Sequence, residues 1–223
     1  MRLLLIRHAQ SSNNAVIKAE GDRGNRVPEP ELTDLGIEQA HHVAAALPAL
    51  VTGSVRVSSS LMTRALQTGS ILADALNVPV HTCPDLHEAG GIYDGGPDGS
   101  ARHSVAAPSL AQLRRISPRI HIGQKTPDPW WVGPYEPAEQ RDARARTVLA
   151  ELVAMPVDTH VVVIHQHFGQ HLIRALLGAE SMSGYLRIDN TGTSLFERPQ
   201  NHHHFLARWI NRTEHLPAHL ITD

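Results

Sequence analysis

The chain has a single cysteine, Cys83, among 223 residues. No intramolecular disulfide can form, which fits a reducing compartment. It lacks any apolar run approaching the length of a membrane span. Its opening run, Leu3 to Ile6, is too short for a signal-peptide core and is cut at once by Arg7 and His8. Positive charge is not in excess either: 20 Lys+Arg against 22 Asp+Glu leave a formal charge of -2, with no basic block to track a phosphate backbone. Internal repeats and low-complexity linkers are missing. The expectation is a soluble, cytoplasmic protein with neither nucleic acid nor membrane as a partner, and the length suits one domain, residues 1–223.

What the chain does have is an alternation of short strands and helices, the signature of an α/β fold with a mostly parallel central sheet in three α/β/α layers. Leu3 to Ile6 reads as a buried strand. Glu20 to Pro30 reads as a surface loop. Ile37 to Leu47 has helical spacing with Thr33 as its N-cap, and Gly36 is a cost inside the first turn. Val55 to Val57 is a strand, closed by Ser58-Ser59-Ser60, which also cap a helix from Leu61 to Leu76. Val78 to His81 is another short strand. From about 89 to 137 the pattern breaks into Gly-, Pro- and Trp-rich sequence, with one helical stretch near Leu110 to Ile116, and this reads as an inserted covering segment. Helix returns over Ala138 to Met155, strand over Thr159 to Ile164, and helix again from Phe168 to Gly178. Ser194 to Phe196 and Phe205 to Ile210 are late strands, and the tail from Asn211 is expected to be irregular.

Two of these strands finish in imidazole: Ile6-Arg7-His8 at one end of the chain and Ile164-His165 at the other. In an open parallel sheet the ligand crevice lies outside the carboxyl ends of the strands, so adjacent strands would bring the two histidines together. Arg64, near the first turn of a helix that also follows a strand, joins them. Two guanidinium groups, two imidazoles and a helix N-terminus suit an anion with several oxygens. A neutral imidazole is also a competent nucleophile toward phosphorus.

These residues resemble the histidine phosphatase superfamily, the phosphoglycerate mutase-like fold. Arg7-His8-Ala9-Gln10-Ser11 with Asn14 is similar to its Arg-His-Gly-Glu/Gln signature. Leu32-Thr33-Asp34-Leu35-Gly36 with Gln39-Ala40 is similar to its Leu-Thr-x-x-Gly-x-x-Gln-Ala segment, and Ser59 to Thr68 to its Ser-Ser-Pro-Leu-x-Arg-Ala-x-Gln-Thr segment. Leu86-His87-Glu88 stands where the family has Leu-x-Glu, and Val161 to His165 resembles its final strand and second histidine. The matches run in the family's order from residue 1 to about 178.

The resemblance implies a phosphohistidine mechanism without metal or other cofactor on a small phosphorylated substrate. His8 would attack phosphorus, and Arg7, Arg64 and His165 would hold the non-bridging oxygens. Glu88 would protonate the leaving oxygen and then activate water. Asp85 and Asp94 are nearby carboxylates for the same task. Asn14 would add a hydrogen bond to phosphate, and Gln10, Gln166 and His167 are candidate substrate contacts. The chain departs from the pattern at Ala9, where glycine is usual, at Leu61-Met62, and at Gln166-His167, where a small pair often follows the second histidine.

Other features invite other readings. The 16 histidines suggest metal, but His165, His167 and His171 lack a Glu or Cys at matching spacing, and His202-His203-His204 fits a surface turn. Trp130-Trp131 could stack on substrate, though packing the covering segment onto the core is the plainer role. The functional expectation is a phosphomonoesterase. A phosphoglycerate-type mutase is the alternative within enzymes, and a catalytically silent relative that binds phosphorylated ligands or a partner is the alternative outside them.

Overall fold

The computed structural model describes residues 1–20, 26–95, 103–179, 182–200 and 202–223. Residues 21–25 of the expected surface loop, and Gly96, Pro97 and Gly99 of the covering segment, lie outside the described residues. The central sheet has seven strands in the order β6-β3-β2-β7-β1-β8-β9. They are β1 (Arg2–Arg7), β2 (Val55–Ser59), β3 (Val80–Thr82), β6 (Ile120–His121), β7 (Thr159–Ile164), β8 (Thr193–Glu197) and β9 (Leu206–Arg212). β4 (Tyr93–Asp94) and β5 (His103–Ser104) form a separate two-stranded ribbon. The five strands from β6 to β1 are parallel, whereas β8 and β9 run antiparallel at one edge.

β1 and β7 lie inside the sheet with both faces covered, so every residue from Leu3 to Ile6 and from Thr159 to Ile164 is buried, and all but Thr159 and His160 are apolar. Each face carries its own core. On one, Leu4, Ile6, Val161 and Val163 pack with α2 (Asp34–Ala46) and α3 (Thr63–Leu76). On the other, Leu3, Leu5, Val162 and Ile164 pack with α5 (Arg141–Ala154) and α6 (Gln166–Leu177). This is the three-layer α/β/α arrangement expected from the sequence.

Several boundaries differ from expectation for physical reasons. α1 (Ser12–Glu20) is a helix in a stretch to which the sequence pattern assigns no element, too polar to show an apolar face, and it meets the expected loop only at Glu20. α3 begins at Thr63 rather than Leu61, and the serines do not cap it. Glu29 does so from a distance, its Oε2 accepting from the Thr63 N–H at 2.9 Å and the Thr63 hydroxyl at 2.7 Å. The tail is more ordered than foreseen: β9 runs to Arg212, and a 3₁₀ turn spans Ala218–Leu220. The 89–137 segment is only partly a cover. Its α4 (Leu110–Arg114), Ile122 and Trp130 sit in the first core, and β6 extends the central sheet. Trp131 packs beside them with its indole N–H on Ser104 Oγ at 3.1 Å, so the Trp pair is an anchor.

Candidate active site

The register of β1 on β7 pairs Arg7 with Ile164, so the chain leaves both strands at the same level. The His8 N–H then donates to the Ile164 carbonyl at 2.9 Å, and the rings of His8 and His165 meet with centroids 5.0 Å apart. Arg64, on the first turn of α3, lies between them. Its Nε donates to His8 Nε2 at 3.1 Å, and its Nη2 donates to His165 Nδ1 at 3.2 Å.

These contacts fix the imidazole tautomers, because guanidinium only donates and carbonyl only accepts. His8 Nδ1 lies 2.8 Å from the Ala9 carbonyl and must carry the proton, leaving a lone pair on Nε2 that faces Arg64. His165 accepts at Nδ1 and therefore donates from Nε2 to Ser60 Oγ at 2.8 Å. Burial, with the charges of Arg64 and Arg7, holds both rings well below the ordinary histidine range. His8 is thus a neutral imidazole with its free nitrogen pointed into the site.

Arg7 is buried and pushed down to about 10 by that burial, which leaves it charged at neutral pH. Its Nη1 donates to the Ile188 carbonyl at 2.5 Å. Glu88 sits at the N-terminus of α6. Its Oε1 accepts from the N–H groups of Phe168 at 2.8 Å and His167 at 3.1 Å, and from Ala89 at 2.8 Å. Burial is the largest single influence on this carboxyl and raises it. The hydrogen bonds from the His167 side chain and backbone, with the electrostatics of the neighbouring imidazoles and the start of α6, outweigh it and hold Glu88 well below the usual carboxylate range. The loop that carries Glu88 is pinned by Arg144, which donates to the carbonyls of Asp85 and His87 and forms an ion pair with Glu136 at 2.6 Å.

Arg7, His8, Asn14, Arg64, Glu88, Gln166 and His167 line one cavity of about 300 Å³, with fully buried His165 behind them. Asn14 is also the acceptor for the Ser11 N–H at 3.0 Å. Gln166 is tied to the backbone of Leu186 and Ile188. Gln10 does not belong to this wall. Its side-chain carbonyl accepts from the Thr33 hydroxyl at 2.8 Å, so it ties the loop to α2 instead of facing substrate. Asp85 and Asp94 are likewise absent from the lining.

The same cavity is lined by residues that sequence reasoning missed: Arg26, Tyr93, Tyr185 and Arg187. Arg26 donates to the Tyr93 hydroxyl at 2.8 Å and stands over its ring, and Arg187 pairs with Asp223. None of the four falls within a segment matched above, and their meeting depends on distant loops. Among the described residues, no group of three or more His, Cys, Asp or Glu could hold a metal ion, and His171 is paired with Asp142 at 2.5 Å. Among the same residues no helix is long and apolar enough to cross a membrane.

Residues 3–212 match the profile of the histidine phosphatase superfamily (branch 1). The chain belongs to that superfamily. Membership supports a phosphatase of the hydrolase class. No curated protein sequence matches the chain. Among solved structures it is similar to phosphoserine phosphatase from Entamoeba histolytica, solved with phosphoserine, at 23% identity, a TM-score of 0.63, and coverage of 97% of this chain and 99% of that one. It is also similar to mycobacterial glucosyl-3-phosphoglycerate phosphatase, at 22% identity, a TM-score of 0.64, and coverage of 94% and 98%. At these identities the likeness establishes the phosphoglycerate mutase-like fold.

Proposed function

We propose that this histidine phosphatase is a metal-independent phosphomonoesterase that hydrolyses a small phosphorylated metabolite through a phosphohistidine on His8. The observation that carries this reading is Arg64 spanning His8 Nε2 and His165 Nδ1, beside a charged Arg7 and a carboxylate at the cavity wall. A phosphoryl group entering between the two imidazoles takes over the donors that Arg64 now spends on them.

In the first half-reaction the His8 Nε2 lone pair forms the N–P bond as the ester P–O bond breaks. Charge spreads over the equatorial oxygens, where Arg7 and Arg64 hold it, with Asn14 as a further donor; His165 joins them when its Nδ1, an acceptor in the unliganded site, takes up a proton as Arg64 turns to the phosphate. The leaving oxygen takes a proton from Glu88. Because Glu88 rests ionised, that proton arrives with the substrate, which enters as the phosphate monoanion. In the second half-reaction the Glu88 carboxylate takes a proton from water, the water oxygen bonds to phosphorus, the P–N bond breaks to restore neutral His8, and Glu88 returns its proton to the phosphate, which leaves as the monoanion.

The mouth supports a substrate with polar or anionic character beyond the phosphate, since Arg26 and Arg187 stand there with Tyr93 and Tyr185. The two similar structures, a phosphoserine phosphatase and a glucosyl-3-phosphoglycerate phosphatase, fit a substrate of that class. His167 reaches the same mouth, its Nε2 3.5 Å from the Tyr185 hydroxyl. The test is a panel of phosphomonoesters assayed with and without EDTA, with His8→Ala as control. Release of phosphate that persists in EDTA and disappears in the variant is the expected result. Activity that survives His8→Ala, or is abolished by the chelator, overturns the reading.

A further inference from the structure

The two peptide units that follow His8 are each held at both ends. In the first, the His8 carbonyl accepts from Asn190 Nδ2 at 3.1 Å, and the Ala9 N–H donates to Thr68 Oγ1 at 3.1 Å. In the second, the Ala9 carbonyl accepts the His8 Nδ1 proton at 2.8 Å, and the Gln10 N–H donates to Gln39 Oε1 at 2.9 Å. A peptide unit is planar, so its N–H and C=O turn together. Whatever holds the Gln10 N–H therefore aims the Ala9 carbonyl, and the Ala9 carbonyl keeps the His8 proton on Nδ1.

Gln39 and Asn190 are fully buried, and both meet one hydroxyl, that of Thr222 near the C-terminus. Thr222 Oγ1 accepts from Gln39 Nε2 at 2.8 Å and donates to Asn190 Oδ1 at 2.9 Å. Gln39 Nε2 also donates to the Leu220 carbonyl at 2.6 Å, and the Asn190 N–H donates to the Thr222 carbonyl at 2.8 Å. The Leu220 carbonyl and the Gln10 N–H set the sense of the Gln39 amide and the His8 carbonyl sets that of Asn190; the Thr222 hydroxyl, with its one proton, joins the two amides in that sense. Only with the Gln39 amide nitrogen toward the tail does its oxygen face Gln10, and only with the Asn190 oxygen toward Thr222 does its nitrogen face His8.

We propose that Thr222, acting through Gln39 and Asn190, is a positioning residue for the nucleophile: its hydroxyl ties together the two amides that hold the His8 backbone and the Nδ1–H tautomer of its ring. The proposal rests on His8 being the nucleophile for its kinetic consequence, but its tautomer claim stands without it.

The experiment has two arms. In the first, ring ¹⁵N NMR of the unliganded wild-type protein, with His8 assigned through His8→Gln, reads the tautomer directly. Protonation at Nδ1 is expected, and protonation at Nε2 overturns the proposal whether or not the protein is a phosphatase. In the second, Thr222→Val removes the hydroxyl at nearly constant shape, and Thr222→Ser restores it. Loss of aim at a nucleophile is expected to lower kcat by about 10-fold or more with KM within about twofold, together with a mixed His8 tautomer, in Val and not in Ser. Equal losses in Val and Ser, or a wild-type kcat and tautomer in Val, overturn it. Absence of phosphatase activity in the wild type counts against the proposed function alone, because the tautomer readout remains. If the Val variant does not fold, Thr222→Ala takes its place, and a wild-type kcat and tautomer in Ala overturn the proposal.

Discussion

Arg64 Nε donates to His8 Nε2 at 3.1 Å, so a cation rests on the lone pair assigned to nucleophilic attack. The contact adds to burial in lowering the affinity of His8 for a proton, since a second positive charge beside Arg64 is unfavourable, and in the proposed mechanism the same guanidinium receives phosphate oxygens.

Arg64→Ala should therefore do two separable things. Loss of a cation at the equatorial oxygens should cost about 100- to 1,000-fold in kcat. Loss of its charge should move His8 back up toward the ordinary histidine range, so the acid limb of kcat/KM shifts to higher pH. Measured pH profiles of both proteins check this; an acid limb that stays put would show that Arg64 does not tune His8.

The pH optimum of the wild type follows from the same site. His8 titrates well below the normal range, so it remains neutral into mildly acidic solution. Glu88 is held well below the usual carboxylate range, and in the proposed mechanism the proton for the leaving oxygen comes with the monoanion, whose second pKa is about 6. For a simple alkyl phosphate, kcat/KM should fall as pH rises above about 6, giving an optimum on the acid side of neutrality. A flat profile from 6 to 8 would mean that Glu88 gains its proton by another route.

Glu88→Gln keeps an acceptor for the N–H groups at the start of α6 but can neither give nor take the proton. Hydrolysis of an alkyl ester should drop by about 100-fold or more. With an aryl ester, whose leaving group needs little protonation, the first half-reaction should persist and the second should stall. Acid-labile, base-stable label from a ³²P aryl phosphate should then accumulate on the protein. A variant that accumulates none, while its alkyl activity is lost, would place Glu88 outside the water-activating step.

Much of this was legible in the sequence because buried parallel strands write themselves as unbroken apolar runs. Leu3 to Ile6 and Val161 to Ile164 announce the sheet centre, and the residues just past them are the ones that meet. The ordered motifs around Arg64 and Glu88 located the rest of the proposed machinery. What stayed hidden depends on contacts between distant segments. Glu29 capping α3, Gln10 turning to Thr33, and Arg187 meeting Asp223 have no local pattern. α1 was missed because Asn13 and Asn14 are poor helix formers and the segment shows no apolar stripe. Gly36 is legible as a propensity cost inside the first turn of α2, but not as a close contact with another segment.

At Gly36, α2 passes tightly against the loop that follows His8. A Cβ built there would stand 2.1 Å from the Gln10 carbonyl oxygen, a backbone atom that cannot swing aside. Gly36→Ala gains helix propensity in isolation, by up to about 1 kcal/mol, yet forces α2 away from the loop. The clash dominates: overpacking of this kind typically costs about 1–3 kcal/mol, and at this chain length each kcal/mol lowers Tm by roughly 2–4 °C. Displacing Gln10 also disturbs the N–H that Gln39 holds, so kcat should fall further than the stability loss explains. Thermal unfolding and steady-state kinetics on the folded variant check both halves. A variant with raised Tm and unchanged kcat would mean that the loop can retreat without moving His8, and that its backbone is held less tightly than these hydrogen bonds imply.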